Sequence, residues 1–121
     1  MTMTTSAPVT DATTGTWTVA CAGAELEPLW GETVLLAGRQ IALIKLSDDE
    51  LYAVGNQDPH TGAFVMARGI VGSRGDIPTI ASPLHKEVYD LRTGAGLSNP
   101  ALRIDSYPSR IVDGVVEVQL P

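Results

Sequence analysis

Two short loops carry the side chains best suited to chemistry in this chain, Asn56-Gln57-Asp58-Pro59-His60-Thr61-Gly62-Ala63 and Ala81-Ser82-Pro83-Leu84-His85-Lys86. Each places an oxygen-bearing side chain before a proline and a histidine soon after it, and together they hold both histidines of the protein. Asp58, His60 and His85 make up a two-histidine, one-carboxylate set, the kind that binds non-heme iron or zinc when three ligands converge and leave positions open. The same residues also have a local meaning. Asp58 before Pro59 and Ser82 before Pro83 are turn starters, because a short side-chain oxygen accepts a hydrogen bond from the backbone N–H two residues on. Histidines on surface loops are satisfied by solvent without any metal. Cys21 is the one cysteine, so the chain has no internal disulfide and no site with two or four thiolates. On a strand it reads as a small buried apolar residue rather than a reactive thiol.

The elements that must position these loops are strands. Apolar residues at helical spacing are nowhere sustained for the 10–12 residues of an ordinary helix, so the pattern predicts an all-β fold, a compact sandwich or barrel. Residues 16–121 form one domain, and residues 1–15, rich in Thr, Ser, Ala and Gly, form a disordered tail. Trp17, Val19 and Cys21 alternate on a first strand with their side chains inward. The stretch from Ala22 to Leu29 ends near Pro28 and holds a single helical turn at most.

Glu32–Ala37 and Gln40–Leu46 flank Gly38-Arg39, where glycine at the first central position suits a type II′ turn and sets Leu36 opposite Ile41 and Val34 opposite Leu43. Leu51–Gly55 completes a meander that runs into the first loop. The glycines between Gly69 and Gly75 serve turns, since no helix follows them to cradle a phosphate. Asp113-Gly114 is a type I′ signal that pairs Val112 with Val115, Ile111 with Val116 and Arg110 with Glu117.

Fourteen acidic against eight basic residues give a net charge of −6, which argues against nucleic acid and anionic membrane surfaces as partners. The asymmetry is local: no Lys or Arg precedes Arg39, whereas Asp11, Glu25, Glu27 and Glu32 do. No apolar run reaches the ~20 residues of a membrane span, and the start of the chain lacks the basic and apolar regions of a secretory signal. With one cysteine, the expected location is the cytoplasm.

Asn56-Gln57-Asp58-Pro59, Arg68-Gly69-Ile70-Val71-Gly72, Ala81-Ser82-Pro83-Leu84 and Asp90-Leu91-Arg92-Thr93-Gly94 together resemble the small subunit of the assimilatory NAD(P)H-dependent nitrite reductase, a family built on the Rieske-type β-fold. The resemblance runs from about Trp17 to the end. It implies a Rieske-like domain with two apposed loops, in which a Cys-x-His and a Cys-x-x-His pair hold a [2Fe–2S] cluster. His60 and His85 fall on the imidazole positions, and Asp58 and Ser82 fall where the thiolates should be. The resemblance therefore implies an accessory subunit without its own cluster. Its partner is a large subunit that carries FAD, a [4Fe–4S] cluster and siroheme and uses NAD(P)H to reduce nitrite to ammonium. Pro59, His60, Pro83, Leu84 and His85, at the loop tips, are the candidate partner-binding residues. A mononuclear metal site at Asp58, His60 and His85 is the alternative, and a Rieske electron carrier is disfavoured by the cysteine count.

Overall fold

The computed structural model describes residues 16–47, 50–84 and 87–121. The expected tail, the acids at 48–49 and the His85-Lys86 pair lie outside the described residues. Ten strands and two three-residue 3₁₀ turns follow in order: β1 (Thr16–Ala22), β2 (Gly31–Leu36), β3 (Arg39–Ser47), β4 (Glu50–Gly55), β5 (Ile70–Arg74), β6 (Ile77–Ala81), β7 (Val88–Asp90), β8 (Ser106–Tyr107), β9 (Ser109–Val112) and β10 (Val115–Leu120). The 3₁₀ turns, Gly23–Glu25 and Met66–Arg68, are the only helical pieces among the described residues, as the absence of a 3.6-residue period requires.

Three antiparallel sheets result, ordered β1-β10-β9, β2-β3-β4-β8 and β5-β6-β7. The middle sheet separates two cores, and β3 shows why. Its run Ile41-Ala42-Leu43-Ile44 is fully buried, with Ile41 and Leu43 packing among Val116 and Val118 and Ala42 and Ile44 among Ile80, Tyr89 and Leu91. A strand covered on both faces needs a continuous apolar stretch, and its period of two divides that stretch between the two cores. Burying side chains of this size stabilises by about 1.5–3 kcal/mol each.

The terminal hairpin forms in the expected register, with Val115 opposite Val112, Val116 opposite Ile111 and Glu117 opposite Arg110. Asp113 and Gly114 both have positive φ, 51° and 79°, as a type I′ turn demands. Arg110 Nε donates to Glu117 Oε1 at 2.6 Å, and its guanidinium lies 3.9 Å from the centre of the Trp17 ring.

The first hairpin differs from expectation. Its turn is Ala37-Gly38, with φ of 51° and 80°, and Val34 faces Ile41 while Leu36 faces Arg39. This register brings Gly31 against the Met66–Arg68 turn. A Cβ there would lie 2.2 Å from the Ala67 carbonyl oxygen, so only glycine can stand where β2 meets the Met66–Arg68 turn. Gln40 is held as well, by Asn56 through its backbone carbonyl and its side chain. In β1, a bulge between Val19 and Cys21 breaks the alternation. Val19 is consequently 61% exposed rather than inward, while Cys21 packs at the edge of the core.

Candidate functional site

The first loop leaves β4 and the second joins β6 to β7, so the middle and third sheets deliver them to one end. Asn56, 2% exposed, anchors the first. Its Oδ1 accepts from Ala67 N–H at 2.8 Å, its Nδ2 donates to Gln40 Oε1 at 3.2 Å, and its carbonyl accepts from Met66 N–H at 3.0 Å. Within the loop, Asp58 N–H donates to Ala63 O and Gly62 N–H donates to Asp58 O, both at 2.7 Å.

Asp58 and Ser82 start turns as the sequence suggests: His60 N–H donates to Asp58 Oδ1 at 2.8 Å, and Leu84 N–H to Ser82 Oγ at 3.2 Å. They also meet each other. Ser82 Oγ donates to Asp58 Oδ2 at 2.6 Å, with Asp58 fully buried and Ser82 2% exposed. One short hydrogen bond therefore joins the two loops beneath their tips, and both carboxyl oxygens of Asp58 are engaged by protein donors. Pro59, His60, Pro83 and Leu84 lie above it, all exposed. Phe64 and Leu84, each 52% exposed, add an apolar surface to this end.

Behind the pair stands Tyr89, fully buried. Its hydroxyl has no hydrogen-bond partner among the described residues. Burial, with the Asp58 and Glu87 carboxylates adding to it, pushes its pKa up to about 12. Next along β7, the Asp90 carboxyl takes Arg92 Nε and a terminal nitrogen at 3.2 and 3.1 Å and Arg92 N–H at 2.8 Å. The Arg92 hydrogen bond is the main cause holding the Asp90 pKa below the usual carboxylate range.

These shifts act at opposite ends of the pH scale. Because burial raises the Tyr89 pKa on folding, its ionisation costs no stability below pH 10, and stability is lost as pH rises from there through about 12. The Asp90 pKa is lowered, so its contribution is present above pH 3.8 and lost as pH falls through the folded value. Tyr89→Phe removes the unpaired hydroxyl and should leave stability at pH 7 equal or higher while flattening the loss above pH 10. Urea unfolding from pH 7 to 12 measures both, and a clear loss at pH 7 would mean the hydroxyl has a bonded partner.

Residues 16–119 match the Rieske-like [2Fe–2S] domain family. A Mycobacterium tuberculosis protein, provisionally named an NADH-dependent nitrite reductase small subunit, is 42% identical, and its crystal structure superposes with a TM-score of 0.84 over 88% of this chain and 96% of that one. This chain belongs to the Rieske-like family, among the nitrite reductase small subunits. The nitrite reductase (NADH) small subunit of Salmonella typhimurium is 29% identical over 104 residues, 85% of this chain and 96% of its own. The nitrite reductase (NAD(P)H) large subunit of Klebsiella oxytoca is 35% identical over 83 residues, which are 69% of this chain and 9% of that longer protein.

The donors present do not fit the cluster in the family's description. It needs thiolates on one iron and imidazoles on the other, and this nitrite reductase small-subunit relative has Cys21 alone, on β1 in the terminal sheet. No group of three or more His, Cys, Asp or Glu among the described residues is placed to hold a metal ion. The mononuclear alternative depends on His85, which is outside them. The Asp58–Ser82 bond and the Asn56 anchor are what sequence reasoning missed. Asn56 stood in a recognised motif, but nothing local signals a bond between residues 24 apart.

Proposed function

We propose that this chain is the accessory small subunit of a cytoplasmic NAD(P)H-dependent nitrite reductase, a domain with no redox centre of its own that docks on the large subunit. The Asp58–Ser82 hydrogen bond carries this reading, because it joins the two loops directly through an acid and a hydroxyl at the positions where a cluster would need thiolates. Nicotinamide oxidation and nitrite reduction to ammonium belong to the large subunit, with FAD, a [4Fe–4S] cluster and siroheme. Co-purification with a siroheme-containing large subunit, together with absorption and metal analysis of the isolated domain, tests it. A colourless, metal-poor domain that co-purifies supports it; an iron–sulfur band overturns it, and stoichiometric metal without that band favours a site at Asp58, His60 and His85.

Docking uses the loop end, with Pro59, His60, Pro83, Leu84 and His85 as the contact residues. Leu84 is half exposed, so Leu84→Asp leaves the domain folded but puts a carboxylate into the contact. Its affinity for the large subunit should fall at least about tenfold. Unchanged affinity on titration would move the contact elsewhere.

A further inference from the structure

We infer that a second contact lies beside the loop end, where Trp30 and its neighbouring carboxylates receive an arginine or lysine side chain of the large subunit. A groove of about 350 Å³ runs between Leu29–Thr33 on one side and Ala67–Gly69 on the other. Trp30 and Leu29 are 65% and 62% exposed, and Ile70, next to Gly69, is 71% exposed. A group of large apolar side chains left open to water marks a contact surface, and tryptophan is prominent among residues that dominate binding energy.

The groove is preformed. Leu29 N–H donates to Lys45 O at 2.7 Å and Trp30 N–H to Glu27 O at 3.2 Å, while the close approach of Gly31 to Ala67 O fixes the two walls to each other. A partner therefore binds without first ordering this segment.

Charge at Trp30 selects the occupant. The far wall of the groove carries Arg68, whereas Glu25, Glu27 and Glu32 line the adjoining hollow that Trp30 shares, so the cation is placed on the Trp30 side, away from Arg68, and no basic residue precedes Arg39. Glu27 and Glu32 take part in none of the ion pairs among the described residues. An aromatic face beside carboxylates attracts a cation through both its ring and its charge. The terminal sheet shows the completed arrangement: Arg110 lies over Trp17 and pairs with Glu117. Trp30 with Glu27 and Glu32 offers the same ring and carboxylates, turned outward.

This inference rests on the small-subunit reading, so the test separates the two. The domain and its Trp30→Ala, Glu27→Gln/Glu32→Gln and Val19→Ala variants are titrated with the large subunit at low and high salt, with their unfolding midpoints and sedimentation as isolated domains. Trp30→Ala and the double variant should each bind about tenfold more weakly, the double variant should lose most of the salt dependence, and Val19→Ala should bind normally. Normal binding by both groove variants, with Leu84→Asp weakened, overturns the groove while docking stands. If the unmodified domain does not bind, the small-subunit reading fails first and the groove with it. Self-association of the isolated domain that Trp30→Ala abolishes, with complex formation intact, assigns the groove to a second copy and also overturns the inference.

Discussion

Asp58→Ala is expected to lower stability by about 2–4 kcal/mol, because it leaves the buried Ser82 hydroxyl without its acceptor, at about 1–3 kcal/mol, and removes the part-buried His60 N–H bond, at about 1 kcal/mol. Ser82→Ala, which orphans one oxygen of a fully buried carboxyl, should cost somewhat less. Asp58→Asn should be milder still, since its amide oxygen can keep the His60 bond and its nitrogen can donate to Ser82 Oγ. Urea midpoints at constant slope give the order. Equal stability across all three variants would show that the loops are held by packing and that their shared hydrogen bond is incidental. The first two variants should also weaken binding to the large subunit, because the exposed tips are posed by what lies beneath them.

Gly94→Ala is the other large effect. Gly94 has a φ of +82°, and a Cβ there would sit 2.0 Å from the Ile104 carbonyl oxygen. The turn cannot yield easily, because Gly94 N–H donates to Asp90 O at 2.7 Å and Gly94 O accepts from Ile104 N–H at 2.9 Å. Left-handed strain and the backbone clash together should cost about 3 kcal/mol or more. Gly38 is the control: its φ is +80° with nothing within 4 Å of the added Cβ, so Gly38→Ala carries only the conformational penalty, about 1–2 kcal/mol. Thermal unfolding of the pair separates clash from strain. Similar losses would mean that the segment around Ile104 moves aside.

What the sequence disclosed and what it hid divide along chain distance. The Asp113-Gly114 turn was legible because turn chemistry, strand pattern and a charge pair agree within eight residues. The meander and the two Pro-His loops were legible for the same reason. At Ala37-Gly38 local chemistry was ambiguous, since one glycine serves a type II′ turn at its first central position or a type I′ turn at its second. The observed register is the one that sets Gly31 against Ala67, a contact that no short window contains. The bulge in β1 hid the orientation of Val19 in the same way. At the site, the turn bonds of Asp58 and Ser82 were readable from the prolines that follow them. Their bond to each other required the middle and third sheets to deliver both loops to one end.

Thr16 and Leu120 are partners in the β1–β10 ladder. The polypeptide therefore arrives at and departs from this domain at neighbouring points on one sheet. A host chain needs only a small gap on its surface, or a single tether, to carry such a unit without threading or distorting it. The matching segment inside the Klebsiella oxytoca large subunit shows a related sequence carried within a longer protein. Evolution can move a domain built this way between a separate gene and a fused one. In a fused form, encounter between such a domain and its host no longer depends on subunit concentration but on tether length, with local concentrations of the order of millimolar for short flexible connections.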